Sequence, residues 1–299
     1  MKIGISVCSL HFVDDPRTGA RHMIERTASA REAGLDSLFV GDHHVTASTY
    51  YQNNVILARM LAEWGSKPFG ALYLLPLWHP VLLAEQIGTL ASLSEGPFIM
   101  QCGLGDEPQG VRMGIDLSKR VGMFTASLNV LRQLWAGESV SEGRYWGIDQ
   151  ARISPIPPET VEVWVGATAD RAIRRTARMG DAWLASPGLT LSSAADGITL
   201  YHRYCEELDR TPTASAIRRD MYVGESAEEA VRTMSPYIDK GYRGIDPEAL
   251  LIGSIAQVSE QLSTLQMLGY TDVIVRNISQ DQSQCLASIE RLSEVRDQL

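Results

Sequence analysis

The sequence predicts an α/β fold, a (β/α)8 barrel with insertions at its C-terminal face. Three observations carry this. Eight short runs rich in Val, Ile, Leu and Phe recur along the chain. The stretches between them place apolar residues three or four apart, the period of a half-buried helix. The 299 residues show no break in composition, and an α/β barrel fills such a length as one domain, here 1–299.

The strands are read at Lys2–Leu10, Ser37–Gly41, Phe69–Leu75, Phe98–Cys102, Val161–Gly166, Ala182–Ser186, Ile217–Val223 and Asp272–Arg276. Their near-continuous hydrophobicity marks strands covered on both faces, as in parallel sheets. A doubly wound sheet is the alternative. Val121, Phe124, Leu128, Leu131 and Leu134 form one helical stripe. Val258, Leu262, Leu265 and Leu268 form another, closed by Gly269 as a C-cap, and Ile289, Leu292 and Val295 a third. Pro80 opens a helix after His79, since proline is tolerated in the first turn. Segments 105–117, 142–158 and 241–253 exceed the minimal repeat and read as insertions. The second of them has the look of a small hairpin.

Twenty-seven basic residues against 36 acidic ones give a net charge of -9. That argues against broad binding to nucleic acid or an anionic membrane, while a local basic pocket for a phosphate stays open. No run approaches the ~18 apolar residues of a membrane span. Cys8, Cys102, Cys205 and Cys285 form no CxxC pair, so neither a disulfide framework nor a zinc knuckle is indicated. With a first strand at the N-terminus in place of a signal peptide, a reduced cytoplasm is expected.

Barrel enzymes carry their chemistry at the C-terminal strand ends. The second strand ends in Gly41-Asp42-His43-His44, three ionisable side chains where strand becomes loop. Asp42 could equally cap the turn while a histidine fills space. A metal is not expected, because adjacent strand residues point to opposite faces and no further ligand cluster accompanies them. The fourth strand runs into Gln101-Cys102-Gly103-Leu104-Gly105, where glycines let the backbone approach a flat ring or a phosphate, or simply make a tight turn. The fifth ends in Gly166-Ala167-Thr168-Ala169-Asp170 before a helix whose N-terminus suits an anion, with Asp170 a plain N-cap as the other reading. An apolar slot from Leu72, Leu74, Cys102 and Gly103, with this helix start for a tail, would suit an isoalloxazine. Trp78, Tyr50, Tyr51, Trp146 and Met113 could wall a substrate or belong to the core. His11, at the first strand's end, could face the pocket or be structural.

Several stretches, in order, resemble the bacterial luciferase-like superfamily of (β/α)8 flavin and deazaflavin oxidoreductases. They are Ala33–His44, Leu75-Pro76-Leu77-Trp78-His79-Pro80 with Ala84-Glu85-Gln86, Leu90–Gly96, Leu131–Gly137, Gly180-Asp181-Ala182-Trp183 and Ile252-Gly253-Ser254 with its following helix. The chain departs from the pattern at Gly96-Pro97 and at Ala126. The resemblance implies a catalytic role for His43, with Asp42 setting its tautomer or capping the loop. His44 would turn toward loop or interface, and with His11 and Trp78 is carried as a substrate-side residue. It also implies a non-prolyl cis peptide at Ala71–Leu72 beneath the ring, Gly103, Gly105 and Asp106 at the ring edge, and Gly166, Ala167 and Thr168 at the phosphate.

The activity so implied is a two-component FMN-dependent monooxygenase. Reduced FMN would come from a separate flavin reductase and react with O2 and an organic small molecule. A coenzyme F420-dependent hydride-transferring oxidoreductase is the alternative, and a non-catalytic flavin-binding relative a third. Such barrels commonly pair as homodimers. The stretch Tyr50–Asn54 with Ile56, Leu57 and Met60 is a candidate two-fold contact.

Overall fold

Strands form where the apolar runs lie, because a strand between a helix layer and a filled barrel interior is dry on both sides. The computed structural model describes residues 1–299. The strands β1 (Lys2–Val7) and β2 (Leu10–His11) precede helix α1 (Pro16–Glu32). Next come β3 (Ser37–Val40), β4 (Thr49–Tyr50) and α2 (Asn53–Trp64), then β5 (Phe69–Leu74) and α3 (Pro80–Ser92). β6 (Phe98–Gly103) leads to α4 (Glu107–Met113) and α5 (Arg120–Trp135), and β7 (Val140–Glu142) pairs with β8 (Ile148–Ala151). β9 (Glu162–Gly166) and α6 (Asp170–Met179), β10 (Ala182–Ala185) and α7 (Leu191–Glu207), and β11 (Ala214–Val223) and α8 (Ala227–Ile238) follow. β12 (Leu251–Gly253), α9 (Ile255–Met267), β13 (Asp272–Asn277) and α10 (Gln282–Asp297) end the fold.

Eight of these strands close a parallel barrel in the order β1, β3, β5, β6, β9, β10, β11, β13, with β13 returning to β1. They are the eight runs read from the sequence. β11 starts three residues earlier than expected, at Ala214. Its last residues also pair with β12, which sits inside the segment read as an insertion at 241–253. The 105–117 segment holds α4, and the 142–158 segment holds most of an antiparallel hairpin, β7–β8.

Side chains alternate strictly across the barrel wall. Phe39, Ile99, Trp164, Leu184, Ala216 and Ile274 pack together inside it. Ala71, Tyr73, Met100 and Cys102 take the opposite parity and join the core between sheet and helices. Gly70 faces inward, where an added Cβ would lie 1.8 Å from the Ile99 carbonyl oxygen. The strands can approach this closely there only because that side chain is absent.

Three expectations are corrected here. The Ala71–Leu72 bond is trans; Ser154–Pro155 is the cis peptide of the chain. The β5–β6 ladder runs unbroken from Phe69 to Leu74, so regular extended backbone already satisfies this segment. Ile56, Leu57 and Met60 are buried in the chain's own core, while Val55 is the exposed large apolar residue of that helix. Their apolar stripe is therefore consumed by packing within the barrel, which leaves Tyr50, Tyr51 and Gln52 as the accessible part of the expected two-fold contact. Val121 of α5 is exposed, whereas Phe124, Leu128, Leu131 and Leu134 are buried. The first turn of the helix points Val121 away from the core.

Candidate active site at the barrel mouth

The alternation set by Phe39 inside the barrel continues past the end of β3. Gly41 and His43 therefore face the mouth, and Asp42 and His44 face the surrounding layer. Asp42 is buried. Its Oδ2 accepts hydrogen bonds from the Leu74 amide and from Trp78 Nε1, both at 2.8 Å. Its Oδ1 lies 3.1 Å from His44 Nε2 and accepts from Asn53 Nδ2 at 3.4 Å. The carboxylate thus ties the ends of β3 and β5 together, and the imidazole it engages is His44. The expectation that Asp42 sets the His43 tautomer is corrected accordingly. Donating to the Asp42 carboxylate raises the His44 pKa against an opposing effect of burial.

His43 is half-buried, its ring centroid 5.7 Å from that of Tyr50. It lines a cavity of about 340 Å³ together with Cys8, Leu72, Arg218, Arg243 and Arg276. A second cavity, of about 290 Å³, is formed by Leu104, Gly166, Ala167, Thr168, Arg175 and, again, Arg218. The two adjoin across that one guanidinium. Both lie at the C-terminal strand ends, where this architecture assembles its sites.

The arginines follow from the same parity. Ala214 and Ala216 of β11 pack inside the barrel, and Arg218 and Asp220 continue that inward row toward the mouth. On β13, Ile274 is followed by Arg276 in the same way. Asp220 is fully buried; its Oδ2 accepts from Arg243 Nη1 at 2.5 Å and from the Tyr242 hydroxyl at 3.0 Å. Burial pushes the Asp220 carboxyl up, but Arg218, Arg276 and Arg243 together hold it below its ordinary value. Burial lowers Arg218 to about 10, still protonated at neutral pH. Arg276 Nη2 donates to Cys8 Sγ at 3.1 Å. Burial opposes ionisation of the Cys8 thiol, yet Arg276 and the neighbouring hydrogen bonds bring its pKa below the usual value. None of these arginines was picked out from the sequence. The available signal was charge at inward positions of otherwise apolar strands: Arg218 and Asp220 in one, Arg276 at the end of another.

The second cavity has the features of an anion site. α6 begins at Asp170 behind Ala169, with no side chain capping its first N–H groups. Arg175 Nε is buried on this wall without a hydrogen-bond partner. A Cβ added to Gly166 would meet only the Cys102 carbonyl, at 3.4 Å, so a ligand can come close to this backbone. Free N–H groups, a helix dipole and an unpaired guanidinium are complementary to an anion. Leu72 lines the His43 cavity, and Gly103 and Gly105, the latter at φ 71°, stand against Leu74 and, for Gly105, Leu77.

Other expected residues fall elsewhere. Cys102 and Ala71 belong to the helix-facing layer, and the Cys102 thiol is bonded to the Trp164 carbonyl. A slot inside the mouth cannot use their side chains, because odd and even positions of a strand face opposite sides. Trp78 and His44 pack edge to face behind Asp42, outside the His43 cavity. His11 is buried, its Nε2 3.0 Å from the Cys8 carbonyl. Burial, reinforced by Arg26, lowers its pKa to about 4.

That shift has a stability signature. The folded chain holds His11 neutral, while the unfolded chain protonates it near pH 6.5. Stability is therefore lost as pH falls from about 6.5 toward 4, and His11→Gln should flatten that limb of the unfolding midpoint against pH. His44 shifts in the opposite direction and acts above pH 6.5, so its contribution is separable.

The model of the luciferase-like monooxygenase family matches residues 1–262. An F420-dependent glucose-6-phosphate dehydrogenase of Nakamurella multipartita is 27% identical over 214 residues, 64% of this chain and 62% of that protein. The chain thus spans somewhat less than two thirds of that relative's length. Among solved structures, a monooxygenase from Streptomyces bottropensis superposes with TM-score 0.87 at 17% identity, covering 98% of both chains. The oxygenating constituent of 3,6-diketocamphane monooxygenase from Pseudomonas putida, in complex with FMN, superposes with TM-score 0.81 at 19% identity, also over 98% of both. At such identities the structural likeness is one of fold.

Proposed function

Because the chain belongs to the luciferase-like monooxygenase family of flavin- and F420-dependent oxidoreductases, we propose that it is an F420-dependent oxidoreductase that moves a hydride between a small alcohol or carbonyl compound and the deazaflavin. The observation that carries this is the pair of cavities joined at Arg218, one with an anion site and one with a free imidazole. The basic wall that an anionic coenzyme tail requires comes from Arg175 and the start of α6. The relative in Nakamurella multipartita, named as F420-dependent, points the same way. On this support we take the deazaflavin ahead of reduced FMN with O2 and a separate reductase, the reading favoured by sequence resemblance.

When bound, F420 supplies a two-electron hydride acceptor. The protein's share is to seat the substrate carbon against it and to manage the proton. His43 faces the cavity and has no side-chain partner of its own, so its imidazole is free to take the hydroxyl proton as the C–H bond breaks and C=O forms. Leu72 and Leu74 keep water from the ring face.

Fluorescence titration of the apo protein tests the cofactor. F420 should bind at least about 10-fold more tightly than FMN, and Arg175→Gln should weaken F420 by a further factor of about 10, the size of one charge-assisted hydrogen bond. Tighter binding of FMN would return the protein to the oxygen-using branch.

A further inference from the structure

We propose that Arg218, Arg243 and Arg276 form an oxyanion seat in the His43 cavity, so that the substrate carries a carboxylate or phosphate group besides the carbon that exchanges hydride. This rests on the reading of that cavity as the substrate end of the site.

Three guanidiniums from three separate elements, β11, the loop after α8, and β13, line one small cavity in a chain whose overall charge is negative. A single buried carboxylate, Asp220, stands against them, one negative charge facing three positive ones, and its Oδ1 has no hydrogen-bond partner of its own. Its Oδ2 serves Arg243 and Tyr242, and its Oδ1 is 3.7 Å from Arg218 Nε. The carboxylate of Asp42 also borders the cavity, but its oxygens are turned to Leu74, Trp78, Asn53 and His44. The buried Nε atoms of Arg218 and Arg276 have no hydrogen-bond partner. Buried donors without partners are costly, and buried charges persist where something opposite compensates them. The forked guanidinium matches the two oxygens of a carboxylate or phosphate.

Arg243 shows that the seat is assembled on purpose of geometry and not by strand parity alone. It sits at φ 52° between Gly241 and Gly244, both also at positive φ. A non-glycine residue in the left-handed region is uncommon and strained. That conformation turns the loop back over the mouth and delivers the guanidinium to Asp220 while leaving it 40% exposed at the rim. A ligand entering would meet Arg243 first and Arg218 and Arg276 deeper.

Calorimetry on the apo protein at low ionic strength, titrated with inorganic phosphate and separately with acetate, tests the seat independently of turnover. We expect a saturable site for at least one of the two anions, separate from any phosphate binding at the start of α6, with the preferred anion identifying the substrate's group. It should persist in protein saturated with F420. Arg243→Gln should weaken it at least about 10-fold, and Arg243→Lys should restore part of the loss. Arg276→Gln should do the same; if that buried change prevents folding, the rim variant Arg243→Gln decides alone. No saturable binding of either anion, unchanged affinity in Arg243→Gln, or displacement of the anion by F420 would each overturn the proposal, the last by giving these arginines to the coenzyme. Failure of F420 to bind would instead strike the cofactor assignment and leave the apo measurement standing.

Discussion

His43→Ala should lower turnover by about 100-fold or more while leaving the fold and F420 affinity close to wild type. The imidazole lines the mouth cavity and makes no side-chain hydrogen bond that the fold depends on; only its backbone carbonyl is engaged, by Gln52 Nε2 at 3.4 Å. Truncation therefore removes a proton acceptor without opening the core. Single-turnover rates of coenzyme reduction, measured beside coenzyme affinity, separate the two effects. His44→Ala is the control. Its ring sits behind the cavity on Asp42 and Trp78, so it should lose stability and little rate. If His44→Ala abolished turnover and His43→Ala did not, the assignment of the inward-facing histidine would fail.

Asp42→Ala should be the most destabilising single change at this site. It strips the Leu74 amide, the Trp78 indole N–H and the Asn53 amide of a shared acceptor in a buried setting. Leaving buried donors unpaired costs about 1–3 kcal/mol each. A total of about 3–5 kcal/mol, in line with breaking a buried charged network, is expected, and with it a fall of about 5–8 °C in the unfolding midpoint. Asp42→Asn keeps one acceptor oxygen and should fall between. A midpoint for Asp42→Ala within a degree of wild type would show that the β3–β5 clamp contributes nothing.

The eight strands were legible because a parallel barrel imposes the same constraint on each: dry on both faces, hence an apolar run. The strand-two end was legible because polar residues cluster where such a run stops. What stayed hidden depends on parity and on contacts distant in sequence. Cys102 and Ala71 stand beside residues that do face the mouth, Gly103 and Leu72, and a reading without register cannot say which of two neighbours points in. Arg218 was passed over because a charge inside an apolar strand reads as an exception, when it marks the height at which the barrel interior ceases to be core. Arg243 reaches the cavity only through the conformation of its loop. The short strands β2, β4 and β12, two or three residues each, carry too little pattern to announce themselves.

The ring closure of β1 on β13 has a kinetic corollary. Cys8 and Arg276, in contact at the cavity floor, are 268 residues apart in sequence. His43 and Leu72 arrive with the first half of the chain; Arg218, Arg243 and Arg276 arrive with the second. Contacts of such long range form late, since the chain between them must be ordered before they contribute. A refolding protein should therefore recover helical circular dichroism before it recovers any affinity for anion or coenzyme. A nascent chain still lacking β13 has its imidazole and no closed cavity around it, which keeps the reactive pocket from existing before the fold that shields it.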